Sequence, residues 1–283
     1  MGNVPYLDNI AWHNGNWCQV RDLQVSILDL GLIHSDATYD VMAFINNRGI
    51  KLEQHINRFL TSCSYWRIPI SYTAQELNDI VTETHARTNW DNSIIWLSVT
   101  RGVPLSGNPR DLTNCTPNVM CYAKPYQLFN GTNTATVYLS DQLRVPDVAL
   151  NQNHKNFVWQ DLTRAQWQAI DLGYDTAILL STDGYLTEGP GFNVAIVKNN
   201  IVIAPASNRL PGVSMQLIKD LCDENAISFK FANIDLPMLT SCDAMFLTTT
   251  VGNLATVTKF NERTLTPGAI QEKLILLLKG ISQ

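Results

Sequence analysis

The sequence predicts an α/β chain of two domains: a small α+β domain over 1–124, a linker over 125–132 and a larger α/β domain over 133–283. Three observations predict it. Before Pro125, hairpin signals give way to helical periodicity and then to two β-branched runs. At PYQLFNGT the composition shifts to turn formers, as it does where domains join. Beyond that point, short apolar runs alternate with helical stretches, the pattern of strands layered against helices. The 283 residues, 45% hydrophobic and 16% charged, are enough for an ample core in one large domain or two modest ones.

Taken in order, IAWHNGNWCQV reads as a hairpin turning at Asn14-Gly15, and VMAFINNRGIKL as a second turning at Asn46–Gly49. EQHINRFLTSCSYWRI has helical periodicity, with Ile56, Phe59, Leu60 and Cys63 on one face and His55 and Arg58 near its start. TAQELNDIVTETHART predicts a second helix with Thr73 as N-cap. SIIWLSVTRG and NVMCYAKPY follow as buried strands. After the linker comes the strand ATVYLS. Asn153–Gly173 then reads as an amphipathic helix through Phe157, Val158, Leu162, Trp167, Ile170 and Leu172, with Lys155 at its mouth. TAILLSTDGYLTEGPGFNVAIVKNNIVIAP holds several strands, with turns at Asp183-Gly184 and Asn199-Asn200. A helix through MQLIKDLCDEN, a strand at DAMFLTTTVGN and a helix near PGAIQEKLILLLKG complete the chain.

Net charge is −5 with no basic patch, so no nucleic-acid partner is expected. The six cysteines form no C-x-x-C pair. This is neither a zinc framework nor a disulfide scaffold, and it predicts the reduced thiols of a cytoplasmic protein that holds no metal. MGNVPYLDNIAWHNG lacks a basic region followed by an apolar run, so no signal peptide is expected. No window approaches the roughly 18 apolar residues that span a bilayer, so no membrane partner is expected either.

The chemistry-bearing residues start with Lys155. His154, Trp159 and Trp167 give it a partly apolar setting, and desolvation makes an amine a usable nucleophile. The bland alternative is a surface lysine at a helix end. LPGVSMQLIKDL puts Gly212, Val213 and Ser214 at a helix start, where free N–H groups and the helix dipole favour an anion, or merely form a cap. FLTTTVGN ends a strand in Thr248, Thr249 and Thr250, followed by Gly252: a second phosphate cradle, or ladder residues. Arg58 supplies a fixed positive charge. Glu188 sits beside Gly189, Pro190 and Gly191, where backbone approaches a ligand closely. It is either a turn carboxylate or the partner of a protonated ring nitrogen. A lysine, a ring carboxylate and an anion cradle together make up a pyridoxal phosphate site.

The segments GLIHSDATYDV, LEQHINRF, VTRG, LRVPDVALNQNHKNFVWQDLTR, LTEGPGFN, LPGVS and FLTTTVGN, in this order, resemble the class IV (fold type IV) pyridoxal-phosphate aminotransferases. That group holds the branched-chain and D-amino-acid aminotransferases, and the chain is most similar to its (R)-selective amine transaminases. The resemblance implies fold type IV, pyridoxal 5'-phosphate as cofactor, and a homodimer. It also implies ping-pong transfer of an amino group from an (R)-amine or D-amino acid to a keto acid such as pyruvate. On that resemblance Lys155 matches the lysine that binds the cofactor covalently and shuttles the proton, and Glu188 the carboxylate on the ring nitrogen. Arg58, Val213, Ser214, Thr249 and Thr250 match the phosphate-binding positions. His34, Tyr39 and Val41 match pocket positions of the (R)-amine pattern, where branched-chain enzymes carry a glycine-containing segment. Arg110, in RGVPLSGNPRDL, either pairs bidentately with an acceptor carboxylate or stays a solvated loop arginine. Ile94 and Trp96 stand where amine transaminases usually have Phe and Glu, so Trp96 fills pocket volume and removes a charge. Gln160 replaces a tyrosine that many relatives place five residues past the lysine. A branched-chain L-amino-acid aminotransferase and a lyase of the aminodeoxychorismate type are the alternatives that share this fold.

Overall fold

The computed structural model describes residues 6–250 and 253–281, so Gly252 of the second expected cradle lies outside the described residues. The chain divides into two compact units. One runs to Tyr126 and takes in His154–Val158; the other holds Gln127–Asn153 and the chain from Trp159 on. The break after Tyr126 falls within 125–132. The pentapeptide around Lys155 groups with the first unit, whereas the sequence reading assigned it to the domain over 133–283.

In the first unit, β1 (Ile10–His13) and β2 (Asn16–Gln19) are joined by Asn14-Gly15, both at positive φ, the geometry a two-residue hairpin needs. A short α1 (Leu30–Ile33) leads into β3 (Ala37–Ile45), which turns through Asn46 and Asn47 into β4 (Arg48–Gly49). Then come α2 (Leu52–Tyr65), α3 (Ala74–Ala86), β5 (Ser93–Pro104) and β6 (Cys115–Pro125). Thr73 caps α3 in a full capping box with Glu76. The strands form one sheet in the order β2-β1-β6-β5-β3-β4. Ile56, Phe59 and Cys63 of α2 bury against Met42, Phe44, Ile95, Leu97 and Cys121 on one sheet face. Each large apolar side chain so buried contributes about 1.5–3 kcal/mol. Gly102, at a bulge in β5, has φ +85, and a Cβ there would lie 1.6 Å from the Thr116 carbonyl oxygen, so only glycine fits.

In the second unit, β7 (Thr134–Leu143) precedes α4 (Gln160–Asp171), β8 (Thr176–Leu180) and the short β9 (Glu188–Gly189). β10 (Phe192–Lys198), β11 (Ile201–Pro205), α5 (Val213–Glu224) and β12 (Phe229–Ala232) follow. α6 (Leu236–Thr240), β13 (Ala244–Thr249), β14 (Asn253–Phe260), β15 (Arg263–Thr264) and α7 (Ala269–Ile281) end the chain. The sheet order is β12-β11-β10-β13-β14-β7-β8, with β9 on β10 and β15 on β14. One face packs Val194, Ile196, Met245 and Leu247, and the other packs Ala195, Val197 and Phe246 against α5 and α7.

The helix expected over 153–173 is shorter. α4 opens at Gln160, five residues beyond Lys155, and its buried face is Leu162, Ala165 and Ala169. Of the apolar spacing that announced the helix, Leu162 faces inward, whereas Trp167, 61% exposed, Ile170 and Leu172 lie on the outer side. The six cysteines are free thiols, and among the described residues no helix is long and apolar enough to cross a membrane.

Candidate functional site

Lys155 is held by its backbone. Its carbonyl oxygen accepts from Thr38 Oγ1 on β3 at 2.8 Å and from Trp66 Nε1 at 2.9 Å, while its N–H donates to Ser62 Oγ on α2 at 3.2 Å. Trp66 is fixed in turn by Arg101, whose guanidinium donates to the Trp66 and Arg67 carbonyls and pairs with Asp36. With three side chains fixing its main chain, Lys155 sends Nζ over the Tyr39 ring, 4.3 Å from the centroid. Within the first unit, the apolar setting of Lys155 includes the Tyr39 ring. Neighbouring His154 stacks on Tyr65 at 3.9 Å, and burial lowers its pKa, so the neutral ring adds no charge beside the lysine.

Strand alternation sorts the other first-unit residues. Asp40 faces α2, where its carboxylate takes Nε and Nη2 of Arg58 at 2.8 Å each and the His55 ring nitrogen at 2.7 Å. Burial alone would raise the Asp40 pKa, but Arg58 and His55 overcome it and hold the carboxyl well below the usual range. Burial lowers the His55 pKa, with Asp40 opposing and the charges of Arg58 and Lys155 adding to the fall. Arg58 is thus backed by a fully buried anion.

Tyr39 and Val41 point to the opposite sheet face, away from α2 and α3. There Trp96 is the register partner of Val41 and stacks flat on Tyr39, with centroids 4.5 Å apart and planes 4° off. Ile94 lies on the same face and is buried. The structure thus groups Lys155, Tyr39, Val41, Trp96 and Ile94. It leaves His34 exposed at the end of α1 and Arg110 exposed in the loop between β5 and β6.

In the second unit Glu188 is 5% exposed. One carboxylate oxygen accepts from Arg144 Nε at 3.0 Å; the other accepts from the Leu210 N–H at 3.0 Å and Asn193 Nδ2 at 3.2 Å. Arg144 also holds Asp161 and Gln152, at 2.5 Å each. These three donors hold the Glu188 carboxylate in one orientation. α5 starts at Val213 with Gly212 as N-cap, and no side chain caps it. Among the described residues, the Val213 and Ser214 N–H groups therefore meet no acceptor. Thr248 Oγ1 is buried and equally unpartnered, on the face of β13 that packs against α5 and α7. Thr249 and Thr250, next along, are half-buried. Gln160 opens α4, exposed.

Sequence reasoning missed Asp40, Arg101, Arg144 and Asp161. The available signal was a lone charge inside an apolar strand pattern, as in ATYDVMAF. Gly212 matters through contact rather than conformation, since a Cβ there would lie 2.0 Å from Asn193 Oδ1. Asn193 cannot swing without losing Glu188 and the Leu210 carbonyl. Gly212→Ala is therefore expected to cost about 1–3 kcal/mol, as overpacked sites do. Calorimetry of the purified protein reads this as a lowered midpoint; an unchanged midpoint would show that Asn193 yields freely.

A family model described as amino-transferase class IV matches residues 37–260. A Methanocaldococcus jannaschii protein, provisionally named a branched-chain-amino-acid aminotransferase, is 29% identical over 95% of this chain and 94% of its own length. The D-alanine aminotransferase of Staphylococcus haemolyticus is 26% identical over 88% of each chain. Among solved structures, the branched-chain amino acid aminotransferase of Thermobaculum terrenum in its PLP form superimposes with a TM-score of 0.88 at 18% identity, covering 98% of this chain and 94% of that one. The chain belongs to the class IV aminotransferases, enzymes of fold type IV that use pyridoxal phosphate as cofactor.

Proposed function

We propose that the chain moves the amino group of a D-amino acid or (R)-amine to a keto acid such as pyruvate, in two half-reactions. The observation that carries this is the wall formed by Tyr39, Val41 and Trp96. Val41 and Trp96 oppose each other across β3 and β5. The segment that holds Tyr39 and Val41 resembles the (R)-amine pattern rather than the glycine-containing segment of the branched-chain enzymes. Bulk at Val41 and Trp96 narrows the space beside Tyr39. The similarity to D-alanine aminotransferases points the same way.

In this reading Lys155 attaches the cofactor, and its Nζ takes and returns the proton of the donor carbon. Glu188, backed by Arg144, accepts from the cofactor's ring nitrogen. The phosphate is held by Arg58, by the Val213 and Ser214 N–H groups, and by Thr249 and Thr250. The unpartnered N–H groups at the start of α5 and the orphaned Thr248 hydroxyl fit such a group. Pyridoxal phosphate, when bound, supplies the electron sink that the ionising carbon–hydrogen bond needs. Arg110, exposed and without an ion pair among the described residues, is proposed to receive an acceptor carboxylate. His34 is proposed at the rim of the substrate pocket.

Homodimerisation in a cytoplasmic setting completes the proposal. The apolar run with Ile27 73% and Leu28 62% exposed favours a covered surface, and light scattering tests it.

A second reading, a branched-chain L-amino-acid donor, is favoured by the M. jannaschii relative. A panel of (R)-1-phenylethylamine, D-alanine, D-glutamate and L-leucine with pyruvate or 2-oxoglutarate separates the two. The expected result is kcat/KM for a D- or (R)-donor at least about tenfold above that for L-leucine. The reverse order would establish the second reading.

A further inference from the structure

Alternation along β6 buries Val119, Cys121 and Ala123 in the core and turns Tyr122 and Lys124 to the sheet face that carries Tyr39 and Trp96. There the Lys124 ammonium is half-buried against three rings: 5.2 Å from the Trp96 centroid, 5.5 Å from Tyr122 and 5.6 Å from Tyr6. Aromatic faces hold a cation in place but do not neutralise it. The buried arginines of this unit meet carboxylates, Arg58 with Asp40 and Arg101 with Asp36. Lys124 meets no carboxylate and no hydrogen-bond acceptor among the described residues. Burial, with nothing opposing it, pulls its pKa below the usual lysine value. A partly dehydrated ammonium without an anion is a cost to the fold that a bound anion would remove.

Its position says which anion. Lys155 Nζ lies 4.3 Å from the Tyr39 centroid, Tyr39 stacks on Trp96 at 4.5 Å, and Lys124 Nζ lies 5.2 Å beyond. The two amines end one aromatic ladder on one sheet face. A molecule lying along that ladder with one end at Lys155 presents its other end to Lys124.

We propose that Lys124 is a specificity-determining residue that binds the second carboxylate of dicarboxylic substrates whose reacting carbon lies at Lys155. The inference rests on the proposed role of Lys155 but not on the configuration of the donor. The ladder supplies the apolar floor for the methylenes, and Lys124 replaces the water that the far carboxylate loses. Lysine makes this contact as a flexible point charge on a four-carbon stem, so it tolerates a range of chain lengths.

The test uses the holoenzyme and its Lys124→Met, Lys124→Arg and Lys124→Glu variants. In Lys124→Met the ratio of kcat/KM for D-glutamate over D-alanine is expected to fall about ten- to a hundred-fold, the worth of one charge-assisted hydrogen bond. Lys124→Arg is expected to retain most of the ratio, and Lys124→Glu to lower it further. Binding of glutarate against butyrate, followed by calorimetry, reads the same contact with achiral ligands. Wild type should prefer glutarate and Lys124→Met should not. If L-donors prove to be the substrates, the configuration reading fails while the glutarate arm still reports on Lys124. A Lys124→Met enzyme with unchanged glutarate preference overturns the proposal. So does a changed oligomeric state with an unchanged ratio, which would make Lys124 an interface residue.

Discussion

Lys155→Ala is expected to abolish turnover and covalent attachment of the cofactor while leaving the fold intact. The asymmetry follows from how the residue is held. Thr38, Trp66 and Ser62 all bind its main-chain carbonyl and N–H, which the substitution keeps. The amine, with its contact over the Tyr39 ring, is what the substitution removes. The proton transfer alone is worth about 10²–10⁴ in rate, and loss of the covalent anchor adds to it. Loss of the cation–π contact should cost about 0.5–2 kcal/mol, too little to unfold the unit. Borohydride reduction of wild-type holoenzyme, followed by mass spectrometry, should find the phosphopyridoxyl group on the Lys155 peptide and on no other. In Lys155→Ala no peptide should carry it, and a small primary amine added to the buffer should restore part of the turnover. Label on Lys124, the other amine of the same sheet face, or turnover within tenfold of wild type would overturn the assignment.

What was legible in the sequence was what neighbouring residues decide. Ile56, Phe59 and Cys63 are spaced for one helix face, and that face is buried. Asn14-Gly15 turns where positive φ is cheap. Thr73 with Glu76 announces its own capping box. What was illegible depends on distant partners. Phe157 and Val158 continue the apolar spacing of α4, yet they lie outside the helix. Val158 N–H donates to Asn156 Oδ1, and hydrogen bonds from residues some ninety and more positions away fix Lys155. Such contacts override local helical preference. Arg144 lay in a segment whose resemblance was plain, but its purpose depends on Glu188, forty-four positions on. Lys124 belongs to the same class: a strand lysine is unremarkable until neighbouring strands place three rings around it.

Asp40→Asn is expected to be the most damaging substitution to the first unit's stability, at about 3–5 kcal/mol, the cost of removing one partner from a buried ion pair. Asp40 is fully buried and is the anion for Arg58, itself 12% exposed, and for His55. Asparagine keeps the shape but removes the charge and turns an N–H donor toward a guanidinium that has only donors to offer. The pH dependence distinguishes this from a simple packing loss. Asp40 has a folded pKa below its unfolded value of 3.8, so its contribution is present above that pH and is lost as pH falls through the folded value. His55 is lowered from 6.5 by burial, so the unfolded chain takes up its proton first, and stability falls as pH drops below about 6.5. In wild type, Asp40 is the one group that raises the His55 pKa, against burial, Arg58 and Lys155. Without it the folded pKa of His55 drops further, so Asp40→Asn should lose stability more extensively on acidification from 6.5 toward 4. Below about 3.8, where wild type gives up its Asp40 contribution, the difference between the two proteins should shrink. Urea unfolding midpoints at pH 7.5, 5.5 and 3.5 measure all three regimes. A deficit that is the same at each pH would mean that Asp40 acts through shape alone, and that the charge facing Arg58 and His55 carries none of the stability.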